Sequence, residues 1–383
     1  MIISGAISII LLFLIVYPII LYPLVLVIGA KFAKRKKMKK NEKVSQPSVS
    51  IIVPMYNEER MVRKKIENCL GLLYPAEQIE IILGSDGSID STNKLLNEYK
   101  SHPNIKLVFS DRIGKSRLLN KLASIATGDI LVLTDADTEL DADAISNSMN
   151  YFIDDSVGAI CGNLRFRSVD GVVREAGYWK YETALRRLES EIYSTIVVSG
   201  SLFVMKRSLY EMLPEDVGVA DDLSIPLSIL EKRKRILFAP DVAGDTPEAD
   251  KLKDEYFRRL RIASLNYQSI KYYLHMLHPR QKFISFALWS HKILRWLTPI
   301  FLILFFLFAY LSRDVNMFFD VLWKSQLIFY GLVGIMGLLL HSKNRKSLLI
   351  YPYYFIAMNV ALLHALILFV FGKHQGKWDV VRN

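Results

Sequence analysis

Cysteine is nearly missing from this sequence: Cys69 and Cys161 are the two in 383 residues, far apart and outside any Cys-x-x-Cys or His-rich setting. That excludes a disulfide framework and a cysteine-based zinc site, and both residues are expected as reduced, buried thiols. Internal repeats are missing, and so are low-complexity tracts beyond one basic run. Charge is missing from residues 2–30 altogether. As a helix, that run is long enough to cross a hydrocarbon core of about 30 Å. It is too long for a signal peptide, carries Pro18 and Pro23, and has neither a basic start nor a small-residue cleavage pattern. The glycine that a P-loop needs five residues before Gly114 is also missing, because Phe109 stands there, so Gly114-Lys115-Ser116 is not a nucleotide-triphosphate loop.

What is present is a mixture. Apolar residues make up 51% and aromatics 11%, beside 23% charged residues. This excludes a disordered or collagenous chain and indicates a soluble domain joined to membrane spans. At about 150 residues per domain, the length allows two or three folding units. Lys and Arg number 49 against 38 Asp and Glu, an excess of 11. A polyanion, an anionic membrane face or an anionic small substrate is the expected partner, and charge alone does not choose among them.

The uncharged run is followed by Lys31, Lys34, Arg35, Lys36, Lys37, Lys39 and Lys40, which the positive-inside rule places in the cytoplasm. Three further apolar stretches, 297–312, 325–340 and 347–372, lack Asp, Glu, Lys and Arg. The first two are short and must borrow flanking residues such as Trp296 and Trp323. Residues 283–296 mix apolar side chains with His291, Lys292 and Arg295, the pattern of an amphipathic helix at the interface, a span entrance or a soluble helix on the core. Counting spans puts the tail outside, whereas Lys373, Lys377 and Arg382 favour the cytoplasm; a re-entrant last segment would reconcile the two.

Between these parts, Ile- and Val-rich runs at 49–54, 79–84, 105–109 and 129–134 alternate with longer helical patterns. Such runs predict buried parallel strands, and hence an α/β, doubly wound domain. Ligands bind beyond the carboxyl ends of strands in these sheets, so the residues there carry the chemistry. The first run is followed by Pro54-Met55-Tyr56-Asn57-Glu58 and the second by Asp86-Gly87-Ser88, either ordinary turns or the mouth of a binding site. The fourth ends in Asp135-Ala136-Asp137, with no basic neighbour in sequence. Two carboxylates so close need a cation or hydrogen-bond donors, and a divalent metal, Mg²⁺ or Mn²⁺, is the economical choice. Asp221-Asp222 opens a helical pattern, where acids complement the helix dipole or supply a general base. Arg258, Arg259 and Arg261 among aromatics are a solvated basic face or a surface for anionic lipid or diphosphate.

In this order, Val53-Pro54-Met55-Tyr56-Asn57-Glu58, Asp86-Gly87-Ser88, Asp135-Ala136-Asp137 and Asp221-Asp222 between membrane spans, the chain resembles the membrane-integrated family 2 glycosyltransferases, the group of cellulose, hyaluronan and poly-N-acetylglucosamine synthases. The resemblance covers nearly the whole chain. It implies a GT-A-type, Rossmann-like cytosolic domain over 45–280, after an N-terminal span (1–30) and a basic linker (31–44). An interface helix (281–296), a C-terminal region of two or three spans (297–372) and a tail (373–383) would follow, the whole in the plasma or inner membrane.

By resemblance, Pro54, Tyr56, Glu58, Asp86, Lys115, Asp135 and Arg261 bind a nucleotide sugar, expected to be a UDP-sugar. Asp135 and Asp137 hold Mg²⁺ or Mn²⁺, Asp222 is the catalytic base, and Ser199, Gly200 and Asp221 meet the acceptor. The implied reaction is inverting transfer onto a glycan in exopolysaccharide or related assembly. Single-sugar transfer to a polyprenyl phosphate or other lipid is the alternative, and a non-catalytic scaffold or nucleotide-sugar sensor is a third reading. Membrane lipid, a second protomer or a secretion partner are the expected associates, and nucleic acid is not. The processive relatives' Gln-x-x-Arg-Trp is represented by Arg258, Arg261 and Ile262, which keeps the arginine and loses the aromatic face for a sugar. Trp179, Tyr181 and Trp289 are the aromatics left to compensate.

Overall fold

The computed structural model describes residues 2–33, 46–167, 176–247, 252–339 and 350–372. Most of the basic linker, the loop with Lys343, Arg345 and Lys346, and the tail lie outside the described residues. The chain forms two compact units: Met1–Val25, Lys251–Tyr267 and Ser285–Gln375 in one, Leu26–Asp250, Gln268–Ile284 and Gly376–Asn383 in the other.

The second unit is built on an eight-stranded sheet. Its strands are β1 (Val49–Met55), β2 (Ile79–Asp86), β3 (Ile105–Ser110), β4 (Ile130–Thr134), β5 (Glu139–Leu140), β6 (Val157–Arg167), β7 (Leu202–Lys206) and β8 (Arg235–Pro247), in the order β3-β2-β1-β4-β7-β6-β8-β5. The four Ile- and Val-rich runs are β1 to β4, parallel to one another as the sequence predicts. Every residue of β1 is buried, because helices cover both faces of a central parallel strand. The other half of the sheet departs from the all-parallel expectation: β7 runs antiparallel to both β4 and β6, and β5 antiparallel to β8. The domain is thus α/β with a mixed sheet.

That reversal positions the site. Thr134, the last residue of β4, pairs with Leu202, the first of β7. The segment 199–201 that leads into β7 therefore lies at the same edge as the carboxyl ends of β1, β2 and β4. Cys69 and Cys161 are both free and buried.

In the first unit, the helix Ile2–Val16 packs on the helix Leu294–Ser312 through Leu11, Ile15, Phe305 and Ala309. Residues 283–296 do not form a separate element: Phe283–Ala287, a π-turn at Leu288–Ile293 and Leu294–Ser312 run on as one 30-residue helical stretch. A second π-turn, Tyr17–Leu21, interrupts the N-terminal helix, and the Tyr17 hydroxyl lies 2.9 Å from Ser290 Oγ. Among the described residues, four helices are long and apolar enough to cross a membrane: Ile2–Phe32, Phe283–Ser312, Met317–Gly337 and Pro352–Val370.

Candidate active site

At the end of β2, Asp86 is fully buried, a position a carboxylate holds only when its oxygens are hydrogen-bonded. Its Oδ1 accepts from the backbone N–H groups of Ile113 (2.8 Å) and Gly114 (3.0 Å), and its Oδ2 from the Arg112 guanidinium. Arg112 in turn lies over the Tyr56 ring, 3.3 Å from the centroid. Gly87 lets the backbone of Arg112 come this close: it adopts φ +67°, and a Cβ there would fall 2.7 Å from the Arg112 backbone nitrogen.

The turn after β1 is tied to the turn after β2. Asn57, itself at φ 52°, donates its N–H to Ser88 Oγ (3.1 Å) and accepts from the Ile89 N–H (2.9 Å). The Glu58 N–H donates to Thr92 Oγ1 at 2.8 Å, and Glu58 is buried. Pro54 sits inside β1 beside Gly84 of β2.

A second cluster forms where β4, β7 and two helix starts meet. Lys115, the first residue of the helix Lys115–Ser124, lies 2.9 Å from Asp135 Oδ1 and 3.2 Å from Asp221 Oδ2. Ser201 donates to Asp135 Oδ2 at 2.6 Å. Gly200 passes so near Asp221 that a Cβ would fall 2.8 Å from its Oδ2. Asp221 and Asp222 open the helix Asp221–Glu231, whose N-terminal dipole favours their charge. Ser116 holds the Val219 carbonyl at 3.0 Å, fixing that helix start beside Lys115. Burial opposes both charged forms. Even so, the Asp135 and Asp221 carboxylates hold the Lys115 ammonium above the usual lysine range, and Lys115 with the Ser201 hydroxyl holds Asp135 below the usual carboxylate range.

The structure thus brings together Lys115, Asp135, Gly200 and Asp221 in one ion-paired cluster, and Tyr56 and Asp86 in another. Asp137 follows two residues after Asp135 in the loop between β4 and β5, and Ser199 accepts from the Ser201 N–H at 3.4 Å. Arg261 belongs to the other unit, on the helix Leu252–Tyr272. Sequence reasoning found no basic neighbour for the two aspartates; Lys115, twenty positions away in sequence, is the neighbour. It also missed Arg112 and Lys65. Arg112 follows a strand end, which was a usable signal. Lys65 stands on the buried face of a helix and gave none. Trp179, a candidate sugar platform, stacks on Phe166 with centroids 4.2 Å apart.

Among the described residues, no three His, Cys, Asp or Glu gather as a metal site. Both Asp135 oxygens are engaged by Lys115 and Ser201. A divalent cation here would draw on Asp137 beside Asp135 and on phosphate oxygens brought by a ligand. Mg²⁺ and Mn²⁺ accept that donor set, so the residues fit such an ion.

Residues 50–213 match the family model described as glycosyl transferase family 2. The probable glycosyltransferase YdaM of Bacillus subtilis is 25% identical over 266 residues, covering 63% of this chain and 61% of that protein. The poly-beta-1,6-N-acetyl-D-glucosamine synthase of Staphylococcus epidermidis is 29% identical over 232 residues, 54% of this chain and 55% of that protein. The chain therefore spans less than two thirds of the length of these relatives. The mannosyltransferase PcManGT from Pyrobaculum calidifontis, solved with GDP-Man and Mn²⁺, superposes with a TM-score of 0.72 at 23% identity, covering 97% of this chain and 100% of that one. Fold and matched segment together define a GT-A-like glycosyltransferase domain. Its residues 50–213 match glycosyl transferase family 2, in a chain that also carries helices of membrane-spanning length.

Proposed function

We propose that the protein is an inverting glycosyltransferase that moves a sugar from a nucleotide sugar, a UDP-sugar by preference, onto a glycan at the cytosolic face of a membrane. The observation that carries this reading is the Lys115 bridge between Asp135 and Asp221. One ammonium stands between a strand-end carboxylate on the donor side and the helix start that bears Asp222.

In this reading, Tyr56, Arg112 and Asp86 hold the nucleoside, with Pro54 and Glu58 shaping the turn that carries Tyr56. Lys115 faces the diphosphate. Asp222 takes the proton from an acceptor hydroxyl as its oxygen attacks the anomeric carbon from the face opposite the departing diphosphate. That bond forms as the sugar–phosphate bond breaks, which inverts the centre. Ser199, Gly200 and Asp221 line the acceptor side. A bound Mg²⁺ or Mn²⁺, held by Asp137 with Asp135, would add positive charge against the leaving diphosphate. Lys115 supplies part of that charge from the chain itself.

The polysaccharide synthase among the relatives supports a glycan acceptor. Ile262, where the processive relatives carry tryptophan, favours a second reading in which one sugar passes to a lipid-linked acceptor. Membranes containing the protein, incubated with labelled UDP- and GDP-sugars, distinguish them. An elongating product supports the first reading, and one sugar on a solvent-extractable lipid supports the second. No transfer from any donor would overturn both.

A further inference from the structure

The helix Val62–Leu70 buries Val62, Lys65, Ile66 and Cys69, the i, i+3, i+4, i+7 stripe of a helix facing a core. Three of these are apolar or thiol-bearing, and the fourth is a lysine only 2% exposed. Arg63 and Lys64, on the same turn, lie at the surface in ion pairs with Glu98 and Glu139. A buried ammonium is costly unless its hydrogen bonds are met inside the protein.

Its partners show where it acts. Lys65 Nζ donates to Thr134 Oγ1 at 2.9 Å and to the Thr138 carbonyl at 2.6 Å. Thr134 is the residue before Asp135-Ala136-Asp137, and Thr138 the residue after. One buried ammonium therefore closes the neck of the three-residue loop that bears both carboxylates. The Thr138 N–H also donates to the Asp135 carbonyl, at 3.3 Å, so the loop is pinned at its neck and across its width. Lys115 reaches the same loop by its direct ion pair with Asp135. The sequence Thr134-Asp135-Ala136-Asp137-Thr138 lacks a proline that would stiffen it, and the lysine does so instead.

We propose that Lys65 is a positioning residue for the donor's metal–diphosphate site, acting through the loop: it holds Asp135 and Asp137 in the geometry that takes a divalent cation together with phosphate. This rests on the donor-site reading above. Residues behind metal ligands, when removed, lower metal affinity or activity by about 10- to 100-fold.

The test uses the purified full chain, folded by its melting transition, and titrates UDP and GDP with and without Mn²⁺, with Mn²⁺ uptake followed by its paramagnetic resonance. Lys65→Met keeps the length and removes the donors; it should weaken Mn²⁺-dependent nucleotide binding by about tenfold or more. Uridine or guanosine binding, which uses the Tyr56 and Asp86 end, should stay within about twofold in the same variant. Should Lys65→Met fail to fold, Thr134→Val removes one leg of the clamp at nearly constant volume and should shift the same quantity by about threefold. Lys64→Met controls for loss of charge on the same helix. A folded Lys65→Met or Thr134→Val with unchanged Mn²⁺ dependence, or one that loses nucleoside and nucleotide equally, overturns the clamp alone. A wild-type chain whose nucleotide binding ignores Mn²⁺ overturns the metal reading and the clamp with it.

Discussion

The guanidinium of Arg112 lies flat enough on the ring of Tyr56 to bring its carbon 3.3 Å from the ring centroid. The same guanidinium is ion-paired with buried Asp86, so the turns after β1, β2 and β3 meet in one side chain. Replacing Arg112 with alanine uncovers Tyr56 and deprives Asp86 of its counter-charge. The nucleoside site then loses both the support of its ring and its buried counter-charge, so Arg112→Ala should weaken UDP binding by about tenfold, or about 1.4 kcal/mol. Calorimetric titration checks this, and unchanged affinity would remove Arg112 from the nucleoside site.

Lys115→Met should lower turnover by about 10² to 10³, because it removes a fixed positive charge from where the leaving diphosphate develops negative charge. It also leaves Asp135 and Asp221 facing each other without the ammonium between them. Steady-state kinetics on Lys115→Arg should recover part of the loss. Equal activity in Lys115→Met and wild type would show that the bridge is structural.

Asp222→Asn should lose about 10² to 10⁴ in turnover while donor affinity persists, the range general-base catalysis contributes. Single-turnover rates alongside donor titration separate the two effects. Near-normal turnover would leave Asp222 as a dipole-complementing residue at the helix start.

Asp137→Ala should abolish the effect of Mg²⁺ or Mn²⁺ on UDP binding, and chelator should reduce wild-type binding to the level of that variant. Full donor affinity of the wild type in chelator would dismiss the metal.

Far from these groups, Glu80 on β2 gives a pH signature of folding. Burial alone would raise its pKa. Hydrogen bonds from Lys106, Ser50 and Thr127 win, and hold the carboxyl at about 2 against an ordinary 4.5. The folded state therefore binds the proton less readily than the unfolded chain. The stabilisation is fully present above about pH 4.5 and is lost as pH falls towards 2. Urea unfolding of the wild type and of Glu80→Gln between pH 3 and 7 should show the wild type's advantage shrinking as acid is added. A constant gap would contradict the assignment.

The first four strands were legible because a strand covered on both faces must be apolar at every position, as β1 is. The later strands were not. In β8, Arg235, Pro240, Asp241, Asp245 and Pro247 interrupt the pattern, and the exposed residues follow no simple alternation. Strand direction leaves no mark in periodicity either, so the reversal of β7 was invisible, although it is what carries Ser201 to Asp135. The carboxylates of the site could be read because position at a strand end selects them. Their partners could not: Lys115 and Asp135 meet only once two loops have folded, and Lys65 occupies a core position where helical spacing suggests a hydrophobe.

The two π-turns of the first unit, joined by Tyr17 and Ser290, have a bearing on how this chain can vary. A π-turn amounts to one residue added to an α-helix. Wound as regular α-helix, the added residue would rotate one arm against the other by about 100°. Leu11 and Ile15, or Phe305 and Ala309, would then swing off the seam they share. The wide turn takes up that residue and keeps the two arms in phase, whereas an insertion or deletion in the regular helix changes the phase of everything beyond it. Tyr17–Leu21 and Leu288–Ile293 are consequently where each helix can lose one residue and keep its seam.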